Sequence, residues 1–172
     1  FSYLGDGDIL RLTQNTGGIT ALFQQSAKHN SFLLTERCNN YCLMCSQPPR
    51  DVQDDWIVND ILDAIPLIDR RTLGIVLTGG EPTLLGDRLV ALVQKFKAYL
   101  PATGVHILSN GRSFTDSDYA KKFADLSHPD LMFGIPIYSD ISDIHDYVVQ
   151  ADGAFDETLR GVLNLKRFGL KV

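Results

Sequence analysis

The stretch Phe32-Leu33-Leu34-Thr35-Glu36-Arg37-Cys38-Asn39-Asn40-Tyr41-Cys42-Leu43-Met44-Cys45 runs a short apolar segment, the mark of a buried strand, straight into a loop that holds all three cysteines of the chain. An odd count cannot pair fully into disulfides, and the spacing is too tight for a stapled secreted framework. Both facts point to a reducing compartment, the cytoplasm. Three thiolates so close together suit a sulfur-loving metal. A structural zinc wants a fourth Cys or His nearby, and the flanking histidines, His29 and His106, stand at no spacing that resembles a finger or a ribbon. A cubane iron–sulfur cluster takes one thiolate per iron. Three thiolates leave one iron open to a ligand that is not protein, and an open metal position marks chemistry rather than scaffolding. A zinc site closed by a distant residue and buried, unliganded cysteines are the other readings of the same residues.

Outward from this loop the pattern repeats. Gly74-Ile75-Val76-Leu77-Thr78 runs into Gly79-Gly80-Glu81-Pro82, and Val105-His106-Ile107-Leu108 runs into Ser109-Asn110-Gly111. Leu131-Met132-Phe133-Gly134-Ile135-Pro136-Ile137 is a fourth strand, apolar on both faces, which Pro136 places at an edge or ends. Ile61, Leu62, Ile65 and Ile68 predict a helix capped by Asn59 or Asp60 and kinked at Pro66. Leu89, Leu92, Val93, Phe96 and Leu100 predict a second helix, stopped by Pro101. Tyr119, Ala120 and Phe123 form the inner face of a third, capped by Asp116. Phe155, Leu159, Val162, Leu163 and Phe168 mark a fourth, closed by Gly169, and Leu170-Lys171-Val172 opens a fifth strand.

Four strand–loop–helix repeats predict an α/β fold with parallel strands and right-handed crossovers. An open doubly wound sheet and a partial or full barrel both fit. In either, ligands gather at the carboxyl ends of the strands, where the cysteines, Gly-Gly-Glu and Ser-Asn-Gly all fall. Residues 31–172 form this core, and residues 1–30 read as a small β-rich appendage with a hairpin. The chain has 172 residues, 16 Lys and Arg against 21 Asp and Glu, and a net charge of −5. That balance disfavours nucleic acid and anionic membranes as partners. No apolar run approaches the roughly 18–20 residues of a membrane span, and no signal-peptide pattern opens the chain.

The CxxxCxxC spacing of Cys38, Cys42 and Cys45, together with Gly79-Gly80-Glu81-Pro82 and Ser109-Asn110-Gly111, resembles the radical S-adenosylmethionine (SAM) enzymes over residues 31–172. The resemblance implies a partial (βα) barrel, apparently truncated here after the fourth of six βα units. It implies a 4Fe-4S cluster on the three cysteines, with the amino and carboxylate groups of SAM on the fourth iron. Gly79, Gly80 and Glu81 would then bind the SAM amino group, and Ser109 and Asn110 other polar parts of it. Met44 stands where the family usually carries an aromatic residue near the adenine. An external electron donor of flavodoxin or ferredoxin type would drive cleavage of SAM to methionine and a 5′-deoxyadenosyl radical, which abstracts hydrogen from substrate. Tyr138 and Ser139 offer hydroxyls at the end of the fourth strand, and His145-Asp146 reads as a polar pair near the opening or a solvated loop.

The stretch from His145 through Gly153-Ala154-Phe155 resembles radical SAM peptide-modifying maturases. Ser46-Gln47-Pro48-Pro49-Arg50 resembles those of His-Xaa-Ser systems, so a peptide substrate is expected. A non-catalytic iron–sulfur module for electron transfer or sensing would need the cysteines but not the two other strand ends. A zinc-stabilised interaction domain is the third reading.

Overall fold

A hairpin opens the described chain. Strand β1 (Ile9–Thr13) runs antiparallel to β2 (Gly18–Phe23), and Ile9 and Phe23, partners across it, are buried in the main core. The computed structural model describes residues 3–13 and 17–172. Residues 1, 2 and 14–16, part of the appendage expected over residues 1–30, lie outside the described residues.

Strands β3 (Asn30–Leu33), β4 (Gly74–Thr78), β5 (Gly104–Leu108) and β6 (Leu131–Gly134) then lie side by side in sequence order, all parallel. Helices α1 (Asp55–Ala64), α2 (Asp87–Tyr99) and α3 (Ser117–Asp125) connect them, and α4 (Ser142–Val149) and α5 (Ala154–Arg167) follow β6. One row of the register runs Phe32, Leu77, Ile107, Phe133. All four are buried against the helices, in one cluster with Val58 and Ile61 of α1, Leu92 and Phe96 of α2 and Phe123 of α3. The side chains between them point to the opposite face, where Leu108 and Met132 are 40% and 39% exposed. A doubly wound sheet covers both faces and reverses its strand order at a switch point. Here one face is covered and the order never reverses, which is the arrangement of a partial barrel. Because the strands end in one line, the loops after β3, β4 and β5 rise together from the same edge. No helix among the described residues is long and apolar enough to cross a membrane.

Four local expectations are corrected. Helix α1 starts at Asp55, not after Asn59 or Asp60, and Asp54 in the cap position turns its carboxylate away from its own helix. The helix ends where Pro66 forces a short 3-10 turn over Ile65–Leu67. Strand β6 stops at Gly134, short of Pro136, which has no N–H for the ladder. It is not left at an edge, because Lys171 bridges to Met132 in parallel and its carbonyl accepts from the Phe133 N–H at 2.9 Å. Helix α5 buries Ala154, Thr158, Gly161 and Leu165, whereas Leu163 is 68% exposed. Its small face is dictated by contact: a Cβ on Gly161 would stand 2.1 Å from the Gly111 carbonyl oxygen. Finally, His145 and Asp146 sit on α4 rather than in a loop.

Candidate functional site

At the carboxyl edge of the sheet a cavity of about 520 Å³ is lined by Cys38, Cys42 and Cys45, by Gly79, Gly80 and Glu81, and by Ser109 and Asn110. Three sequence motifs up to 72 positions apart therefore share one wall. The thiols are free; those of Cys38 and Cys42 are half-buried and that of Cys45 is exposed. Burial pushes the Cys38 and Cys42 thiols above the ordinary range. A bound cationic centre reverses that preference by deprotonating a coordinating thiol outright.

The two glycines are explained by the backbone. A Cβ on Gly80 would lie 2.2 Å from the Arg37 carbonyl oxygen, and one on Gly79, whose φ is +141°, would lie 2.5 Å from that of Thr35. The β4 end thus presses directly on the segment that launches the cysteine loop. It is joined there by Gly80 N–H to Thr35 O (2.7 Å) and Glu81 N–H to Arg37 O (2.8 Å). From the other side Asp54 accepts from the Thr35 hydroxyl (2.8 Å) and the Glu36 N–H (2.6 Å) and pairs with Arg37 Nε at 3.1 Å. Desolvation pulls the Asp54 pKa up, but the Glu36 N–H, the Thr35 hydroxyl and Arg37 outweigh it, leaving the value below the usual carboxylate range. The linkage follows in sign. Asp54 stabilises the fold fully above its unfolded value of about 3.9, and the contribution is lost as pH falls through the depressed folded value. Asp54→Asn should lower stability by ~1–3 kcal/mol at neutral pH and flatten the acid limb of the stability curve, as read by chemical unfolding at stepped pH.

Glu81 is 1% exposed. Its Oε1 accepts from the Thr83 N–H (2.9 Å), the Thr83 hydroxyl (2.6 Å) and the Ser109 hydroxyl (2.8 Å), and its Oε2 accepts from the Asn110 N–H (2.6 Å). Burial raises its pKa, against the pull of these donors. The carboxylate therefore ties the β4 end to the β5 end. With one donor on Oε2 and two lone pairs on that oxygen, it keeps room for one more donor from the cavity. Ser109 completes the tie by accepting from the Gly111 N–H at 2.9 Å. The Asn110 amide is engaged elsewhere: Nδ2 donates to Asn39 Oδ1 (2.7 Å), and Oδ1 accepts from the Arg112 N–H (3.1 Å). Asn110 thus clasps the cysteine loop itself.

Met44 follows Cys42 by two positions on the cysteine loop. It is 53% exposed and is not among the residues that line this cavity. Tyr138 and His145 do line the cavity, and the Tyr138 N–H meets His145 Nδ1 at 3.3 Å. The Ser139 hydroxyl accepts from the Ile141 N–H at the entry to α4. His145 is buried, not solvated, and Asp146, instead of pairing with it, accepts from Gly153 N–H and Phe155 N–H at 2.6 and 2.7 Å. Arg112 was not legible as part of the site. Its Nη1 donates to Asn39 O (2.7 Å) and Asn40 Oδ1 (2.6 Å), and its Nε pairs with Glu157 Oε2 at 2.6 Å. The only sequence signal for it is its place one residue after Ser-Asn-Gly.

The donor set fits a cluster better than a single ion. Among the described residues no three His, Cys, Asp or Glu side chains converge on one point as a metal ion requires. A cube takes one thiolate at each of its irons, so its sulfurs stand farther apart than the ligands of one zinc. Three free thiols lining one cavity supply the soft donors such a cluster takes.

A family model described as the Radical SAM superfamily matches residues 32–172. The chain is 27% identical over 143 residues to Fe-coproporphyrin III synthase of Methanosarcina barkeri, covering 81% of this chain and 34% of that protein. It is 32% identical over 112 residues to the pyruvate formate-lyase-activating enzyme of Staphylococcus aureus, covering 58% and 43%. The chain therefore spans less than half the length of these curated relatives. In fold it is similar to the solved structure of native anSMEcpe with bound AdoMet and Cp18Cys peptide, with a TM-score of 0.60 at 16% identity over 82% of this chain and 40% of that one.

Proposed function

The chain belongs to the radical SAM superfamily, and from that premise we propose that Cys38, Cys42 and Cys45 hold a 4Fe-4S cluster at which SAM is reductively cleaved, with a peptide as the molecule modified. The observation that carries this reading is the meeting of the three thiols with the β4 and β5 ends around one cavity. When bound, the cluster supplies the electron that splits SAM into methionine and a carbon radical able to take hydrogen from substrate.

The chain's own residues bind, orient and shelter. Glu81 places a buried carboxyl group, unpaired with any cationic side chain among the described residues, beside a space that would take a cationic guest. Ser109 and Asn110 hold that carboxyl group in place through the Ser109 hydroxyl and the Asn110 N–H. Leu108, Ile135, Pro136 and Val149 give the cavity an apolar side. Electrons are supplied by an external donor of flavodoxin or ferredoxin type, in a reducing compartment that keeps the thiols free. Peptide modification is supported by the maturase-like stretch from His145 to Phe155 and by the peptide bound in the structurally similar anSMEcpe. The test is anaerobic reconstitution of the full chain with iron and sulfide. Expected is uptake of about four irons per chain, abolished by replacing the three cysteines with alanine. Protein that takes up only zinc, or that keeps its iron without the cysteines, overturns the reading.

A further inference from the structure

We propose that Thr83, with Ser113 behind it, is the positioning residue that turns Glu81 toward the cationic end of SAM. The inference rests on the reading that Glu81 receives the SAM amino group.

Thr83 follows Glu81 by two positions, in the short 3-10 turn Pro82–Leu85, and is 3% exposed. It gives one oxygen of the Glu81 carboxylate two donors at once: its backbone N–H reaches Oε1 at 2.9 Å and its hydroxyl reaches the same atom at 2.6 Å. An ionised carboxylate only accepts, so the single hydroxyl hydrogen of Thr83 goes to Glu81. The Ser113 hydroxyl, 2.7 Å away, must then donate to Thr83 Oγ1. The chain of bonds from Ser113 through Thr83 to Glu81 thus has one direction.

Both ends of that chain are held. The Thr83 carbonyl accepts from the Gly86 N–H at 3.1 Å, and the Tyr119 hydroxyl of α3 donates to the Gly86 carbonyl at 3.2 Å. Ser113 lies in a second 3-10 turn, Arg112–Thr115, entered through Gly111 at φ +81°, the residue against which Gly161 of α5 packs.

The terminal torsion of a glutamate is broad and roughly two-fold, so the side chain alone does not choose which oxygen meets a guest. Here Oε1 is filled by the two Thr83 donors and the Ser109 hydroxyl, while Oε2 carries only the Asn110 N–H. An ammonium group is therefore met by Oε2. Neither Thr83 nor Ser113 is among the residues lining the cavity, so each acts through Glu81.

The test is equilibrium binding of SAM, and of a SAM analogue lacking the α-amino group, to the cluster-loaded full chain. The ratio of the two affinities isolates the contact with the amino group. Thr83→Val keeps the shape and removes the hydroxyl, Thr83→Ser keeps the hydroxyl, and Ser113→Ala removes only the donor behind it. Wild type should prefer SAM about tenfold or more. Thr83→Val should cut that preference about three- to tenfold, the worth of one hydrogen bond, and bind the analogue as wild type does. Thr83→Ser should keep the wild-type preference, and Ser113→Ala should fall between. A loaded Thr83→Val that keeps the preference, or that binds both ligands equally worse, overturns the inference and leaves the reading of Glu81 standing. A Thr83→Ser that behaves as Thr83→Val assigns the effect to shape and overturns it too. If Thr83→Val takes up no iron, Ser113→Ala decides by the same ratio, and if neither loads, the pair builds the fold and the positioning role is overturned. Wild-type protein without a preference for SAM overturns the reading of Glu81, and this inference with it.

Discussion

A methyl group added at residue 80 is expected to cost about 4 kcal/mol or more and to abolish iron uptake. The Cβ of Gly80→Ala would stand 2.2 Å from the Arg37 carbonyl oxygen and 2.7 Å from its carbon. Both are backbone atoms, held by Asp54 on one side and β4 on the other, so no flexible side chain can yield. Overpacking alone costs ~1–3 kcal/mol and sometimes more. Relief requires pulling β4 away from the loop, which breaks the Gly80–Thr35 and Glu81–Arg37 bonds. Each buried group left unsatisfied adds ~1–3 kcal/mol. Against a total stability of ~5–15 kcal/mol, the change threatens the fold, and the segment it displaces is the one that leads into Cys38. Equilibrium unfolding of apoprotein measures the first effect and iron analysis the second. Gly5→Ala, where a Cβ meets nothing within 4 Å, is the matched control and should fall within ~0.5 kcal/mol of wild type.

The second large effect is expected at Glu81. Alanine there leaves the Thr83 N–H, the Ser109 hydroxyl and the Asn110 N–H without their acceptor, inside the protein. At ~1–3 kcal/mol for each, a loss of about 4 kcal/mol in unfolding stability follows. Glu81→Gln keeps the volume and most of the acceptors, and should cost ~1–3 kcal/mol through the one donor that then meets an NH₂. The two variants separate architecture from charge. If the carboxylate recognises the cationic end of SAM, Glu81→Gln should weaken SAM binding to the loaded protein at least tenfold while the cluster content holds. The pH dependence has the sign opposite to that of Asp54. Burial raises the folded pKa of Glu81, so its contribution to stability grows as pH falls through that raised value toward the unfolded value of about 4.3. Glu81→Gln removes this trend.

The strands and the site's location were legible because they are written locally. Gly74–Thr78 is an apolar run cut off by Gly-Gly, and the register that brings Leu77 beside Phe32 and Ile107 follows from burying alternate residues. The face of α5 was not legible, because the residues that pack it (Ala154, Thr158, Gly161) are small and carry little hydropathic signal. Helix α4 was missed because Ile141, Ile144 and Tyr147, which would announce an inner face, are exposed. The Arg112–Asn40 contact spans 72 positions, and no local pattern forecasts it. At Gly79 and Gly80 the resemblance implies a ligand, but the close neighbours that a Cβ would meet are the chain's own backbone at Thr35 and Arg37.

The most direct measurement is the magnetic-resonance spectrum of the reduced, oxygen-free cluster recorded with and without SAM. A cluster gripped by Cys38, Cys42 and Cys45 alone has one iron free to take the cofactor, and its signal should shift on SAM addition in wild-type protein and less so at equal SAM in Glu81→Gln. A spectrum that SAM leaves unmoved at saturating concentration, with the cluster fully loaded, would show that no iron is open to it and would contradict the assignment of this cavity as a site of SAM cleavage.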